Sequence, residues 1–269
     1  MMRIDGQWAS EISARDRALH YGDGVFRTLR VQPGVVRDLE CHLARLAHDA
    51  GRLGLAMPAA ESWRDDIAAL VAAHGDGIIK CLLTAGDSLR GYKRAEPQVS
   101  RRLVMWSPAT AWPAEYAEQG IRLHLCETRL ALQPRLAGVK HLNRLENVLA
   151  RAEWCDPDIP EGLLLDMAGY VAEGVMSNLF WWQGGAWHTP ALTACGVHGV
   201  LRQRVLEHLA ACGSAVRLVQ ASLAEVLAAE EVFVGNSVIG LWPVRELAGH
   251  HWREFPRIRA LRASLEEPG

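Results

Sequence analysis

Lys140 follows the apolar stretch Leu136-Ala137-Gly138-Val139 and comes just before a helical run that begins at Asn143. Taken alone it reads as a surface residue, since lysines are rarely buried without a role. Its company changes that reading. Glu173 ends an apolar run at "YVAEG" and Asn178 follows in "VMSNLFWW", so an acid and an amide flank a glycine turn in an apolar frame. A lysine able to form a Schiff base, together with a carboxylate able to hold a pyridinium nitrogen protonated, is the minimal apparatus of pyridoxal phosphate chemistry. A phosphate would need its own seat. "GVHGVLRQR" offers one, because Gly196 and Gly199 let the backbone turn tightly into a helix whose first N–H groups can face an anion. Arg45, in "HLARLAHDAGRLG", and the pair Asn236-Ser237, at the end of a buried strand, are further candidates to reach it. The same residues also read as a solvated arginine and two turn formers.

The elements that must position these groups follow from periodicity. Asp5-Gly6 suggests a first hairpin and Pro33-Gly34 a second pair of strands. Leu39, Leu43, Leu46, Ala47, Ala50 and Leu53 then recur at helical spacing. Ser62-Trp63-Arg64-Asp65 has the pattern of a capping box opening a second helix that runs to His74. "GIIKCLLTAG" and "RRLVMWS" read as strands joined by the loop "GDSLRGYKR", and Pro108 to Pro113 as a linker. The domains expected are thus 1–112 and 113–269. In the second, a helix is expected from Asn143 towards Cys155 with Leu145, Val148, Leu149 and Ala152 on one face. Hairpins are expected at Asp166–Gly169 and Gly184-Gly185, and a short helix capped by Ser222 and Glu225. Hairpins mixed with interspersed helices favour an α+β fold.

Composition excludes several functions. The chain of 269 residues has 49% hydrophobic and 22% charged residues and a net charge of -2, so it can bury a core and carries no basic footprint for nucleic acid. The stretch from Gly174 to Leu201 has no Asp, Glu, Lys or Arg, yet Asn178, Gln183, Gly184, Gly185 and Pro190 make it unfit for hydrocarbon. No membrane partner, secretory signal or metal site is expected. The six cysteines lie far apart without metal-ligand spacing and read as free thiols of a cytoplasmic protein.

Six segments in order, "ARDRALHYGDGVFRTLR", "HLARL", "GVKHLNRLENVLARAEW", "YVAEGVMSNLFW", "TPALTACGVHGVLRQ" and "EVFVGNSVIGLWPV", resemble the fold-type IV pyridoxal-phosphate enzymes. That group comprises branched-chain aminotransferases, D-amino-acid aminotransferases and aminodeoxychorismate lyases. The resemblance spans nearly the whole chain and implies a smaller N-terminal α/β domain with a larger barrel-like α+β domain. It implies that Lys140 binds the coenzyme covalently and that Glu173 pairs with the pyridine nitrogen. Arg45, the backbone N–H groups of Val200 and Leu201, Asn236 and Ser237 would hold the phosphate, and Asn178 would support the coenzyme hydroxyl or the Glu173 side. Branched-chain aminotransferases carry a tyrosine a few residues after the lysine, where "KHLNRLENVL" has none. That run, "DRALHYGDGVF" and Arg90-Gly91-Tyr92 are similar to the lyase form, in which Asn143 lies near the ring and Arg90 or Tyr92 meets a substrate carboxylate. D-amino-acid aminotransferases share a similar lysine–leucine–asparagine run, so a transaminase acting on D-amino or branched-chain amino acids is the alternative.

The lyase reading implies elimination of pyruvate from 4-amino-4-deoxychorismate to give 4-aminobenzoate for folate biosynthesis, in a homodimer. A substrate with two carboxylates calls for a cationic mouth, and Arg27, Arg30, Arg90, Lys93 and Arg94 are available for it. Arg27 has no assigned place in the family pattern, and packing is the expected role for it and for Trp181-Trp182.

Overall fold

A computed structural model describes residues 1–266. The chain divides into two compact units, one of Met1–Ala111 with Val139–Asn143, the other of Trp112–Gly138 with the chain from Arg144 onward. A single cut after residue 112 does not reproduce this division, because 139–143 groups with the first unit. Residues 267–269 of the expected second domain lie outside the described residues.

The first unit contains β1 (Met2–Ile4), β2 (Gln7–Ala9), α1 (Arg17–Tyr21), β3 (Gly24–Val31), α2 (Leu39–Arg52), α3 (Ala60–His74), β4 (Gly77–Thr84) and β5 (Arg101–Ser107). Its strands form an antiparallel sheet in the order β2-β1-β5-β4-β3. Strand alternation turns Val25, Arg27, Leu29 and Val31 inward and leaves Phe26, Thr28 and Arg30 half-buried on the other face. Leu46 and Ala50 of α2 and Trp63, Ile67 and Leu70 of α3 complete the inner core. Arg27 is therefore a cation at a core position, 2% exposed.

Two expectations fail here. Beyond β3 the chain turns back through Gln32 N–H to Val35 O and makes only an isolated Val31–Val36 bridge, so no strand follows Pro33-Gly34. The box at Ser62–Asp65 does not form either. Helix α3 starts at Ala60 directly after Pro58-Ala59, and Ser62 N–H already donates to Ala59 O inside the first turn.

The second unit contains α4 (Glu115–Gln119), β6 (Ile121–Leu130), α5 (Leu145–Arg151), β7 (Glu161–Asp166), β8 (Val171–Gly174), β9 (Asn178–Gln183) and β10 (Ala186–Pro190). It continues with α6 (Val200–Ala211), β11 (Val216–Val219), α7 (Leu223–Leu227), β12 (Glu231–Asn236), β13 (Gly240–Leu247), β14 (His250–His251) and α8 (Pro256–Glu266). Its strands form a curled sheet in the order β11-β10-β9-β12-β13-β6-β7-β8, with β14 beside β13. Parallel pairs β10–β11, β13–β6 and β6–β7 are embedded among antiparallel ones. The core gathers Phe180, Trp181, Phe233 and Trp242 against Val205 of α6 and Ile258 of α8. Trp181 thus packs, as expected, at 1% exposure. The Ser222–Glu225 capping box is formed. Helix α5 corrects its expectation, being limited to Leu145–Arg151 with Leu145, Val148 and Leu149 outward at 74%, 60% and 61% exposure. The buried side belongs to Ala150 instead.

Candidate active site

The candidate residues fall into two clusters, one in each unit. In the first, 139–143 lies along the edge of β3. Lys140 O accepts from Phe26 N–H at 2.9 Å, Leu142 N–H donates to Gly24 O at 3.0 Å, and Val25 bridges His141. A side chain at Gly24 would run into Leu83 O and the Leu142 side chain, so only glycine admits this approach. Lys140 is half-buried, with Nζ 4.7 Å from the centre of the Phe26 ring. Lys80 Nζ lies 4.9 Å from the same ring, and burial lowers the Lys80 pKa. Aromatic faces attract cations, which gives each ammonium a favourable apolar neighbour.

Beneath Lys140 sits Asp49, which the motif reading missed. It is 0% exposed, on the inner face of α2 with His42, Leu43, Leu46 and Ala50. Its Oδ2 accepts Lys140 N–H at 3.0 Å and is paired with the Arg27 guanidinium. Its Oδ1 lies 3.3 Å from His48 Nδ1 and 3.9 Å from Arg45 Nε. The signal was present in the sequence: an acid at the helical spacing of Leu46 and Ala50 belongs to the core-facing stripe. His42, 3% exposed, stays neutral because burial and the charges of Arg27 and Lys140 press its pKa down to about 3. Arg45 Nε is buried without a hydrogen-bond partner, a donor of the kind that native structures seldom leave unused.

Arg90 and Tyr92 are exposed on the loop after β4. Arg17 anchors that loop, donating to Ser88 Oγ at 3.0 Å, Gly91 O at 3.0 Å and Tyr92 O at 2.9 Å. Two of the five cations expected at a substrate mouth are committed elsewhere, Arg27 to Asp49 and Arg94 to Asp23 and the carbonyls of Leu53 and Gly54. Asn143 lies in the same unit. It is exposed, and its Nδ2 donates to Gly22 O at 3.1 Å, closing the turn after α1.

In the second unit Glu173 is the penultimate residue of β8, at 3% exposure. Its Oε2 accepts Val197 N–H at 2.8 Å and the Asn178 amide at 3.3 Å. Asn178 also donates to Val197 O at 2.8 Å and accepts Gly199 N–H at 3.2 Å, so it links the carboxylate to the start of α6. Gly196 has φ +77°, and a Cβ there would strike Leu192; one at Gly199 would strike Asn178 Oδ1. Helix α6 begins at Gly199 with no side-chain cap, leaving the first-turn N–H groups of Val200 and Leu201 as donors.

The tight turn after Glu173 closes through Gly174 N–H to Ser177 O at 2.7 Å. Glu161, 1% exposed, accepts from Ser177 Oγ at 2.7 Å and Met176 N–H at 3.2 Å, and burial raises its pKa to about 7. Asn147 donates to Val175 O and Asn236 to Met176 O, at 2.8 and 2.9 Å. Asn236 Oδ1 accepts the N–H groups of Val238 and Ile239 at 2.8 and 3.1 Å. Its side chain thus holds the neighbouring turns, and Ser237 beside it is half-buried. Among the described residues no group of three His, Cys, Asp or Glu side chains could hold a metal ion.

A buried acid beside a capless, glycine-opened helix in one unit, and a lysine with an arginine around one carboxylate in the other, are parts suited to a phosphorylated, electron-accepting coenzyme. Over residues 24–247 the chain matches the model of amino-transferase class IV, and it belongs to that family. A crystal structure of 4-amino-4-deoxychorismate lyase from Pseudomonas aeruginosa superposes with a TM-score of 0.95 at 46% identity, covering 98% of each chain. An aminodeoxychorismate lyase of Vibrio harveyi is 33% identical over 247 residues, 91% of this chain and 90% of that protein. A putative branched-chain-amino-acid aminotransferase of Methanocaldococcus jannaschii is 29% identical over 254 residues, 91% of this chain and 87% of that one. The α+β fold expected from the six segments is the fold found.

Proposed function

We propose that this chain is a pyridoxal-phosphate-dependent 4-amino-4-deoxychorismate lyase, releasing pyruvate and 4-aminobenzoate and so supplying folate biosynthesis. The observation that carries the reading is the 46% identity to the Pseudomonas lyase over 98% of both chains. The residues suit the coenzyme: an unpaired buried Nε on Arg45, the uncapped start of α6 for an anion, and Glu173 fixed by two donors. Lys140 would hold it covalently, Glu173 its pyridine nitrogen, and Arg45 with the Val200 and Leu201 N–H groups and the Ser237 hydroxyl its phosphate. Asn178 would keep Glu173 in place.

When bound, pyridoxal phosphate supplies a cationic heterocycle that accepts the electron pair left by a breaking C–H bond. Lys140 Nζ, released once the substrate amine has replaced it, would then act as the base, taking the proton from the substrate ring carbon that bears nitrogen. The carbon–oxygen bond to the enolpyruvyl group on the adjacent carbon breaks, pyruvate departs, and aromatisation of the ring draws the reaction forward. Arg90 and Tyr92, exposed on their anchored loop, are assigned to the substrate carboxylates.

We assign the active form to a homodimer, supported by the outward apolar stripe Leu145, Val148 and Leu149 of α5. A reducing cytoplasm suits six free cysteines, of which Cys41, Cys155 and Cys212 are exposed. The relation to the Methanocaldococcus protein keeps an aminotransferase as the second reading. Purified holoenzyme given 4-amino-4-deoxychorismate is expected to form 4-aminobenzoate and pyruvate in equal amounts. Turnover of only D-alanine or branched-chain amino acids with 2-oxoglutarate would overturn the lyase assignment.

A further inference from the structure

We infer that Asp49 is a positioning residue that holds the Lys140 main chain and the Arg45 guanidinium in one frame. The inference rests on the proposed role of Lys140 as the covalent attachment point, and it adds a residue that no motif singled out. Lys140 O is taken by β3, but its N–H leaves the ladder and goes to Asp49 Oδ2. The peptide groups on either side of the lysine Cα are thereby fixed by two different elements, β3 and α2. That sets the direction in which the long side chain starts.

Charge, and not shape alone, is required at position 49. Arg27 is buried at a core position of β3, and Asp49 is its ion-pair partner. A buried guanidinium without its carboxylate is strongly unfavourable. His42 on the same helix face is neutral and so adds no further positive charge beside Asp49. Arg45 Nε stands 3.9 Å from Oδ1, outside hydrogen-bond range but well inside that of attraction between opposite charges. Asp49 therefore draws the Arg45 guanidinium towards α2 while leaving its Nε unbonded. One carboxylate thus orients the lysine and biases the arginine, and the two groups share an origin on α2.

The test compares parent holoenzyme with D49N and with R27M/D49N, in which the buried Arg27–Asp49 pair is made neutral so that no guanidinium is left at position 27 without its carboxylate. Four quantities are read: thermal unfolding, the dissociation constant of pyridoxal phosphate, the pH titration of the visible lysine–coenzyme band, and kcat and KM separately. Of these variants, any that unfolds cooperatively is expected to bind pyridoxal phosphate about tenfold more weakly or worse. Its band is expected to titrate about one pH unit away from that of the parent, and kcat to fall more than KM changes. A folded R27M/D49N with the parent's affinity and titration would overturn the inference, because a merely structural role predicts that pattern. Borohydride reduction and peptide mapping of the parent separates the two levels. Absence of a coenzyme adduct on Lys140 would remove the functional reading itself, whereas an adduct with unaltered variants removes only the role of Asp49.

Discussion

At Lys140 the side chain and the main chain answer to different neighbours, the ring of Phe26 and the carboxylate of Asp49. This separation lets a substitution of the side chain leave the local backbone intact. Lys140→Ala is therefore expected to fold with a near-parental melting temperature while losing a factor of ~10³ or more in the rate of 4-aminobenzoate formation. A variant as fast as the parent would exclude Lys140 as the base. The acid and amide of the second unit were legible because Glu173, Gly174 and Asn178 are close in sequence. Asp49 and Glu161 were not, since each meets its partners from far along the chain, and the helical stripe that turns Asp49 inward does not say which groups it meets.

Helix α5 shows how the same apolar pattern can serve two ends. Leu145, Val148 and Leu149 recur at i, i+3 and i+4, which predicts a stripe but not its direction. In the folded unit Ala150 faces inward and the three larger side chains face out. Leu149→Glu is expected to leave the melting temperature of the isolated chain almost unchanged, as exposed substitutions usually alter stability by less than ~0.5 kcal/mol. It is expected to shift sedimentation from dimer to monomer, and an unshifted dimer would place the interface elsewhere. The start of α6 was readable for a different reason. Gly196 and Gly199 are required by backbone conformation and close approach, and such demands leave few residue choices.

Across the molecule two buried groups, one in each unit, respond oppositely to pH. His42 in the first has its pKa pressed from 6.5 to about 3, so its contribution to stability is complete above pH 6.5 and is lost as pH falls through that range towards 3. Glu161 in the second has its pKa raised from 4.5 to about 7, so its contribution is complete below pH 4.5 and is lost as pH rises through 7. Hydrogen exchange followed separately in each unit is expected to show His42→Leu flattening the acid loss of protection in the first, and Glu161→Gln flattening the loss towards neutrality in the second. Parental pH slopes in both variants would contradict these assignments. No helix among the described residues is long and apolar enough to cross a membrane.

By itself the sequence determined the α+β class, the order of most elements and the glycine-opened start of α6, because periodicity, glycine conformation and capping chemistry act over a few neighbouring residues. Tertiary structure decided what depends on distant partners. It gave 139–143 to the first unit, placed Arg27 in the core against Asp49, turned the α5 stripe outward, and bonded the Asn143 and Asn236 amides to the carbonyls of Gly22 and Met176. Burial of a charge or an amide is settled by which group arrives to satisfy it, and that is fixed only when the chain has closed upon itself.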